Sequence, residues 1–299
     1  MNLYMTPKID ITNILEKGFN KFTPTQKNLA NYILSNKDEA SFLTADEMAA
    51  KTKTTPSTVV RFAKEIGYSG YPELQKDLQM LVMNKISGVG QLEKAKRYKL
   101  PGRENEIINS SLLKDKKNLN ELIKNFNTEE VKKFAGIIIS SRKKYIIANR
   151  SSFSLGHFLF FESKKIMPEV YLQNNFDGGI FDILSELNSE DVAIIISFPR
   201  FSKLTLNFTK YAYKRSVKII SITNNRTSPL YNLSEACLFS PFEGASFLHS
   251  HIAPMALINA IMNEIFYQIR DSAIEKLKQD EEILLDLNEI YVKDIKSKK

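Results

Sequence analysis

Two patterns of hydrophobic positions divide this chain of 299 residues. In the first third, apolar residues recur at three- and four-residue spacing, which is typical of amphipathic helices. From Lys144 onwards the pattern changes to short apolar runs rich in isoleucine and valine, which is typical of buried strands. The sequence therefore predicts an α + α/β protein, in which an all-helical N-terminal part precedes a parallel-sheet α/β part.

The segment Thr44–Gly67 is predicted to form two short helices joined by a tight turn. Thr44 suits the N-cap of the first helix, and Glu47 stands where it can complete a capping box. Thr55 and Pro56 are residue types favoured at the start of a second helix. Further amphipathic helices are predicted on both sides of this pair, over residues 23–34, 73–84 and 107–124.

The second helix of the pair separates an apolar face from a polar face. Val59, Phe62 and Ile66 have the spacing of a buried stripe, and Gly67 suits the left-handed residue that ends a helix. Hydroxyl and cationic side chains on the other face are suited to DNA phosphates and base edges. This is the layout of a recognition helix, although a helical hairpin with a solvated polar face has the same spacing. The predicted DNA-binding residues are Thr55, Ser57, Thr58, Arg61 and Lys64.

Five short β-rich runs follow, each separated from the next by a segment of helix length. This alternation predicts a parallel sheet with helices on its faces. In such sheets ligands bind beyond the carboxyl ends of the strands, where helix N-termini favour anions. Three loops occupy this position, at residues 149–154, 197–203 and 223–228. The predicted strands are KKYIIAN, EVYLQ, DVAIIIS, VKIISIT and EACLF.

Hydroxyl side chains and arginine are concentrated in these three loops. Hydroxyls donate hydrogen bonds to phosphate oxygens, and a guanidinium group binds phosphate through two parallel hydrogen bonds. The alternative is that the hydroxyls are N-caps of the helices that follow. The predicted ligand-binding residues are Ser151, Ser152, Ser197, Arg200, Ser202 and Thr223.

The distribution of charge indicates what kind of partner the protein binds. The net charge is +8, and the surplus lies in residues 91–150, which carry 15 basic and 7 acidic side chains. A basic excess favours a polyanionic partner.

The single cysteine, Cys237, excludes an intrachain disulfide and a cysteine-rich zinc site. Because the chain has neither a signal-peptide core nor a run of roughly 18 uncharged apolar residues, we expect a cytoplasmic protein without a membrane partner, a cofactor or a metal.

Residues 22–79 resemble the N-terminal domain of the RpiR family of bacterial transcriptional regulators. The resemblance rests on the opening helix at Thr23–Lys27, on S-T-V-x-R-F at Ser57–Phe62 and on G-Y-x-G-Y-P-E-L at Gly67–Leu74. It implies a helix-turn-helix domain that binds a double-stranded DNA operator. In this family that domain is usually followed by a sugar isomerase (SIS) fold, which binds phosphosugars.

The later segments are similar to an SIS domain. The similarity includes S-x-x-x-x-S at Ser197–Ser202, I-x-I-T at Ile220–Thr223 and the helical sequence HSHIAPMALINAI at 249–261. Two loops depart from the commoner pattern, because N-R-S-S replaces a glycine-rich first loop and S-F-P-R-F-S introduces Arg200 as an additional anion ligand. The resemblance implies a phosphosugar effector, with the identity of the sugar left open.

Two functions fit this architecture. The first is a transcriptional regulator whose SIS-like domain senses a phosphosugar and controls operator binding. The alternative is a sugar-phosphate isomerase with an accessory N-terminal helical domain, for which Glu243, His249 and His251 are the candidate acids and bases. The histidines are two positions apart, so on a helix they point to different faces and cannot form an i, i+4 metal pair. We therefore expect no catalytic residues and no enzyme activity.

The predicted domains are a helix-turn-helix domain over 1–84, a linker over 85–108 and an SIS-like domain over 109–299. The linker assignment rests on the polar composition of that segment and on the turn signals SGVG and PGR. We expect a homodimer or a higher homo-oligomer, because helix-turn-helix proteins usually read paired half-sites. The long apolar helix Ile252–Ile269 offers a face for pairing.

Overall fold

The N-terminal helices begin where the sequence offers caps. In the computed structural model, which describes residues 11–86, 104–173 and 180–287, Thr23 and Thr44 each close a capping box, with Gln26 and Glu47. These boxes satisfy backbone N–H groups that have no partner inside the helix. The helices are α1 (Ile11–Gly18), α2 (Pro24–Ser35), α3 (Lys37–Ala40), α4 (Ala45–Lys51), α5 (Pro56–Glu65) and α6 (Tyr71–Ile86).

One hydrophobic cluster holds these helices together. Phe62 of α5 is almost fully buried and packs edge-to-face against Phe22, with 5.4 Å between ring centroids. Leu29, Met48 and Leu74 bring α2, α4 and α6 into the same cluster. The helical N-terminal fold is therefore built around the buried stripe that the sequence predicts for α5.

A parallel five-stranded sheet forms the core of the C-terminal part, as predicted. The strand order is β2-β1-β3-β4-β5, and every pair is parallel. Helices α7 (Glu104–Lys124) and α8 (Thr128–Ser140) precede it. The remaining elements are β1 (Lys144–Ala148), α9 (Phe153–Ile166), β2 (Val170–Gln173), α10 (Ile180–Glu186), β3 (Val192–Ile196), α11 (Lys203–Lys214), β4 (Lys218–Thr223), β5 (Ala236–Phe239), α12 (Ile252–Gln268) and α13 (Arg270–Asp286).

Helices cover both faces of this sheet. Successive strand residues point to opposite faces, so Ile146 packs with α8, α9 and α12, whereas Ile147 packs with α10 and α11. Strands β1 and β3 are buried along their whole length. This burial explains their continuous apolar sequences, which a strand solvated on one face would not have. The predicted fold class is confirmed.

An ion pair joins the starts of β1 and β3. Asp191 is fully buried and accepts two hydrogen bonds of 2.9 Å from the Arg142 guanidinium group. The same carboxylate also accepts from the backbone N–H groups of Lys143 and Asn188. These bonds satisfy a buried charge and fix the two central strands at their amino ends, opposite the ends where ligands bind.

The apolar face of α12 is used inside the protein. Leu257, Ile261 and Ile265 are buried and belong to the core cluster that includes α8 and α9. The most buried residues of this helix therefore pack on its own domain, whereas Ile252 and Tyr267 are more than half exposed, and pairing through α12 stays a prediction. Helix α7 begins at Glu104, within the segment predicted as a linker. Within the described ranges, no helix has both the length and the apolar character needed to cross a membrane.

Candidate functional site

The first candidate site is the outer face of α5. Pro56 occupies the first turn, and the Thr55 hydroxyl accepts a hydrogen bond from the Thr58 backbone N–H at 3.3 Å. Gly67 has a φ of 100°, so a left-handed residue ends this region as the sequence predicts. Because Val59 and Phe62 face the core, the opposite side of α5 is presented to solvent.

Hydroxyl and cationic groups lie together on that solvent side. Ser57, Arg61 and Lys64 are exposed, and Thr58 is half-buried. The Thr55 hydroxyl lies 3.0 Å from that of Ser57 and 2.9 Å from that of Thr58. The structure thus places Ser57, Thr58, Arg61 and Lys64 along the solvent side of α5, with Thr55 at the N-cap and Lys64 in the last turn. Thr55 has an additional role, because its side chain caps the helix.

The sequence reasoning missed Lys53, which lies in the turn between α4 and α5. Its φ of 52° is in the left-handed region, where a side chain other than glycine is uncommon. Lys53 is exposed and lines a groove of about 370 Å³ together with Asn28, Asn31 and Lys51. The Lys51 ammonium group pairs with Glu39 at 2.8 Å. A search for positive charge in the turn itself, rather than on the helix alone, would have found Lys53.

The second candidate site is a pocket at the carboxyl ends of β1 and β3. The chain runs from β1 to β2 on one side of the sheet and then to β3 on the other, so the strand order reverses between β1 and β3. Crevices at such reversal points are the usual ligand sites of open α/β sheets. The pocket is lined by Asn149, Arg150, Ser151, Ser152, Ser197, Phe198, Pro199, Arg200, Ser202, Phe242, His249 and His251.

Hydrogen bonds hold the walls of this pocket in place. Asn149 donates to the Thr205 hydroxyl at 2.9 Å, which joins the loop after β1 to α11. The Ser154 hydroxyl donates to the Ser151 carbonyl oxygen at 2.9 Å. Phe198 packs on Phe242, with 5.2 Å between ring centroids. The pocket encloses about 50 Å³, much less than the roughly 300–1,000 Å³ of sites that enclose a whole ligand.

Two pocket serines stand at helix starts without capping them. Ser152 is the N-cap residue of α9 and Ser202 that of α11, yet neither side chain makes a capping hydrogen bond. This finding goes against the capping alternative at these two positions. The Ser152 and Ser197 side chains are buried, and the two helix N-termini add favourable potential for an anion.

The charge of the pocket is positive. Arg150 and Arg200 line it from opposite loops, and none of the described lining residues is a carboxylate. The nearby carboxylate of Glu243 pairs with Lys114 of α7 at 2.9 Å. Within the described part of the chain, no group of three or more His, Cys, Asp or Glu side chains is arranged to hold a metal ion. The arrangement is suited to an anion held by hydroxyls and guanidinium groups.

The two histidines meet in the pocket, contrary to the expectation that they face different sides of a helix. Both precede α12, which begins at Ile252, so the helical spacing rule does not apply to them. His249 packs against Phe242 at 4.8 Å between ring centroids. His251 Nδ1 lies 3.2 Å from the Ser154 hydroxyl, and burial lowers the pKa of its imidazole. Burial therefore favours the neutral form of the His251 imidazole.

Thr223 is the one predicted ligand residue that does not line this pocket. It is fully buried at the end of β4, and its hydroxyl donates to the Ser228 hydroxyl at 3.0 Å. This contact organises the turn after β4. The other five predicted residues, Ser151, Ser152, Ser197, Arg200 and Ser202, are brought together.

Comparison with known proteins decides the family. Residues 9–85 match the family model described as "Helix-turn-helix domain, rpiR family", and residues 137–263 match that of the SIS domain. The chain belongs to the RpiR family of transcriptional regulators. The resemblance noted in the sequence is thereby confirmed for both parts of this RpiR-family chain.

Two similar proteins cover more than nine tenths of this RpiR-family chain, and a third covers 57% of it. An uncharacterised HTH-type transcriptional regulator of Clostridium perfringens is 23% identical in an alignment of 284 positions that covers 91% of this chain and 98% of the relative. The NanR protein of Vibrio vulnificus, solved in complex with ManNAc-6P, is 20% identical with a TM-score of 0.64, over 93% of this chain and 99% of NanR. The sugar isomerase domain of an RpiR transcription factor from Sphaerobacter thermophilus is 18% identical with a TM-score of 0.56, over 57% of this chain and 96% of that domain. The two solved structures share the fold of this chain.

Proposed function

We propose that the pocket between β1 and β3 binds the phosphate group of a phosphorylated sugar and that its occupancy controls operator binding. The observation that carries this proposal is the convergence of Ser152, Ser197 and Ser202 with Arg200 at the strand-order reversal. The small volume suits an anionic group rather than a whole sugar, so the sugar ring extends towards the opening. The solved complex of NanR with ManNAc-6P supports a ligand of this class.

We infer that α5 reads the operator. The exposed side chains of Ser57, Arg61 and Lys64, with Thr58 beside them, lie on the side of α5 away from its buried residues. Arginine suits bidentate contacts with guanine, and lysine suits phosphate. Thr55 supports this face by capping the helix, and Lys53 adds a cation in the preceding turn. A regulator of this kind acts on DNA in the bacterial cytoplasm.

A ligand screen tests the pocket directly. Thermal shift with a panel of hexose, hexosamine and pentose phosphates, including N-acetylmannosamine 6-phosphate, should identify sugars that raise the unfolding temperature, because ligands that bind only the folded state stabilise it. Calorimetry should then show that Ser197→Ala and Ser202→Ala each weaken binding by about 1–3 kcal/mol. The matched control is Ser272→Ala on α13, whose exposed hydroxyl donates to the Ile269 carbonyl oxygen of its own chain segment and does not line the pocket. Equal affinities in all four proteins would refute the site.

Turnover separates the sensor from the isomerase alternative. The alternative is favoured by one observation, the presence of His249 and His251 in the same pocket. We expect no conversion of any sugar phosphate that binds, as followed by NMR of the sugar over hours at millimolar concentration. Conversion that is lost in His249→Gln would establish catalysis instead.

We infer that the chain acts as a homodimer. Two apolar side chains one turn apart on α7, Ile108 and Leu112, are more than half exposed. Exposed apolar stripes of this kind mark surfaces that a partner covers, and a second copy provides the paired half-sites that helix-turn-helix proteins read. Light scattering at micromolar concentration should give a dimer mass, and Leu112→Glu should reduce it towards that of the monomer. The domain limits 1–84, 85–108 and 109–299 stay a prediction, with the last residues of the proposed linker in the first turn of α7, which begins at Glu104.

A further inference from the structure

One aromatic contact joins the pocket loop to the helix-turn-helix domain. Phe201, in the loop after β3, lies edge-to-face against Phe42, in the turn between α3 and α4, with 5.8 Å between ring centroids and 76° between ring planes. Both side chains are half-buried. Edge-to-face packing at this distance is a favoured aromatic geometry, so the pair is a specific contact between the two parts of the chain.

On the pocket side, Phe201 lies between two residues of the proposed phosphate site. Arg200 and Ser202 both line the pocket, whereas Phe201 does not. Because the three residues are consecutive, a ligand that draws Arg200 and Ser202 inwards also displaces the backbone of Phe201. Occupancy of the pocket therefore acts on the position of a ring that touches the other domain.

On the DNA-binding side, Phe42 lies in a turn that is fastened to α6. The Leu43 carbonyl oxygen accepts hydrogen bonds from the Tyr71 hydroxyl at 2.8 Å and from the Gln75 side chain at 2.6 Å. The Ser41 carbonyl oxygen accepts from Gln79 at 3.0 Å. The turn and α6 are thus expected to move together rather than separately.

The same turn leads directly into the helix that precedes the DNA-reading helix. Thr44 caps α4, and the buried Met48 and Ala49 of α4 share a hydrophobic cluster with Val59 and Phe62 of α5. A displacement of Phe42 is therefore passed to α4 and α5 through packed elements. Close-packed cores transmit such shifts because they have little free volume.

We propose that the Phe42–Phe201 pair is the contact through which occupancy of the pocket changes DNA affinity. This inference rests on the proposed function, because it requires a sugar phosphate at Arg200 and Ser202. A different route is available through α7, where Lys114 pairs with the Glu243 carboxylate and Asn118 donates to the Glu243 carbonyl oxygen at 2.7 Å. The experiment below separates the two routes.

The contact itself is tested with a single tryptophan. The chain contains no tryptophan, so Phe42→Trp provides one reporter at this position. In the full chain without ligand, adding Phe201→Ala should shift the emission to longer wavelength, because the indole loses its apolar neighbour. Adding Phe161→Ala, a phenylalanine more than half exposed on α9, should leave the spectrum unchanged. The reciprocal pair, Phe201→Trp with Phe42→Ala, replaces the first if Phe42→Trp fails to fold. An emission unaffected by loss of the partner ring overturns the proposal.

The coupling is tested with DNA from upstream of the gene and with N-acetylmannosamine 6-phosphate, or another sugar phosphate from the panel that binds the wild type. The ratio of DNA dissociation constants with and without the sugar is expected to be about 5- to 150-fold in wild type. In Phe42→Ala and in Phe201→Ala this ratio should fall to within about twofold of one. The sugar affinity of both variants should stay within about threefold of the wild-type value. The control Phe161→Ala should behave as wild type in both measurements.

The outcomes are distinct. If no sugar phosphate of the panel binds wild type, the proposed function fails and this inference fails with it. If sugar binds and changes the DNA dissociation constant of both phenylalanine variants as much as that of wild type, the proposed function stands and the Phe42–Phe201 route is wrong. If sugar no longer changes the DNA affinity of Lys114→Ala but still changes that of the phenylalanine variants, the coupling runs through α7.

Discussion

The Asn149 side chain donates a 2.9 Å hydrogen bond to the buried hydroxyl of Thr205, so the loop after β1 is joined to the helix after β3. The bond connects both walls of the pocket. Thr205→Val keeps the volume but removes the acceptor, so we expect a loss of about 1–3 kcal/mol in stability and weaker sugar phosphate binding. Denaturant unfolding and calorimetry measure the two effects. Thr209→Val, one turn further along α11, removes only a hydrogen bond to the Thr205 carbonyl oxygen and should leave sugar affinity unchanged.

Arg61 and Lys64 should contribute to DNA binding in different ways. Arg61→Ala should weaken binding to the operator by about 1–3 kcal/mol if the guanidinium group reads a base, with little effect on unrelated DNA. Lys64→Ala should lower affinity for both DNAs and reduce the salt dependence of binding, because a phosphate contact releases counterions. Fluorescence anisotropy over a series of salt concentrations checks both. Wild-type binding by two folded variants would show that this face does not contact DNA.

Thr55 combines a cap with a position on the DNA side of α5, and two substitutions separate these roles. Thr55→Ala removes the acceptor for the Thr58 N–H and should destabilise the domain by about 0.5–2 kcal/mol. Thr55→Asp retains a cap, and its negative charge is favourable at a helix N-terminus, so stability should be kept. Its DNA affinity should nevertheless fall, because the carboxylate repels phosphate. If Thr55→Asp binds DNA as wild type does, Thr55 lies away from the DNA.

Two helical glycines should respond to alanine in opposite directions. A Cβ at Gly156 of α9 would lie 2.5 Å from the Ala148 Cβ of β1, whereas a Cβ at Gly136 of α8 would meet nothing within 4 Å. Gly156→Ala forces α9 away from the sheet and should destabilise the protein by about 1–3 kcal/mol. Gly136→Ala removes a flexible residue from a helix and should stabilise it by up to about 1 kcal/mol. Thermal and chemical unfolding of both variants measures the difference, and a stable Gly156→Ala protein would contradict the close approach.

His251 should make the stability of the folded chain depend on pH. Burial lowers its pKa in the folded state below the ordinary value of 6.5, so protonation favours the unfolded state. The contribution of His251 to the free energy of unfolding is complete above about pH 6.5, the ordinary pKa, and is lost as the pH falls through the lowered pKa of the folded state. The free energy lost is about 1.4 kcal/mol per pH unit between the two pKa values. Arg150, Arg200 and His249 line the same pocket and supply no compensating negative charge.

The measurement is the free energy of unfolding between pH 7.5 and 5. His251→Gln should flatten the profile, whereas His157→Gln, a substitution of an exposed histidine on α9, should not. A profile of the same slope in His251→Gln and wild type would show that another group is responsible.

Local sequence is enough to predict the helices and strands of both parts of the chain. The caps at Thr23, Thr44 and Thr55 involve residues a few positions apart, so local sequence is enough to place helix starts. All five strands lie within the predicted β-rich runs, and the runs of β1 and β3 are continuously apolar because strands buried on both faces need no polar alternation. The polar face of α5 followed from its periodicity in the same way. Local rules also placed the serine-rich loops at strand ends.

The way in which these elements combine depends on long-range packing. The reversal of strand order between β1 and β3 selected two loops for the pocket and left Thr223 outside, and no local pattern encodes which strands become neighbours. The two histidines joined the pocket because α12 begins after them, and the apolar face of α12 turned inwards because α8 and α9 cover it. The Phe42–Phe201 contact joins residues 159 positions apart. Contacts of this kind depend on long-range packing, which sequence periodicity does not specify.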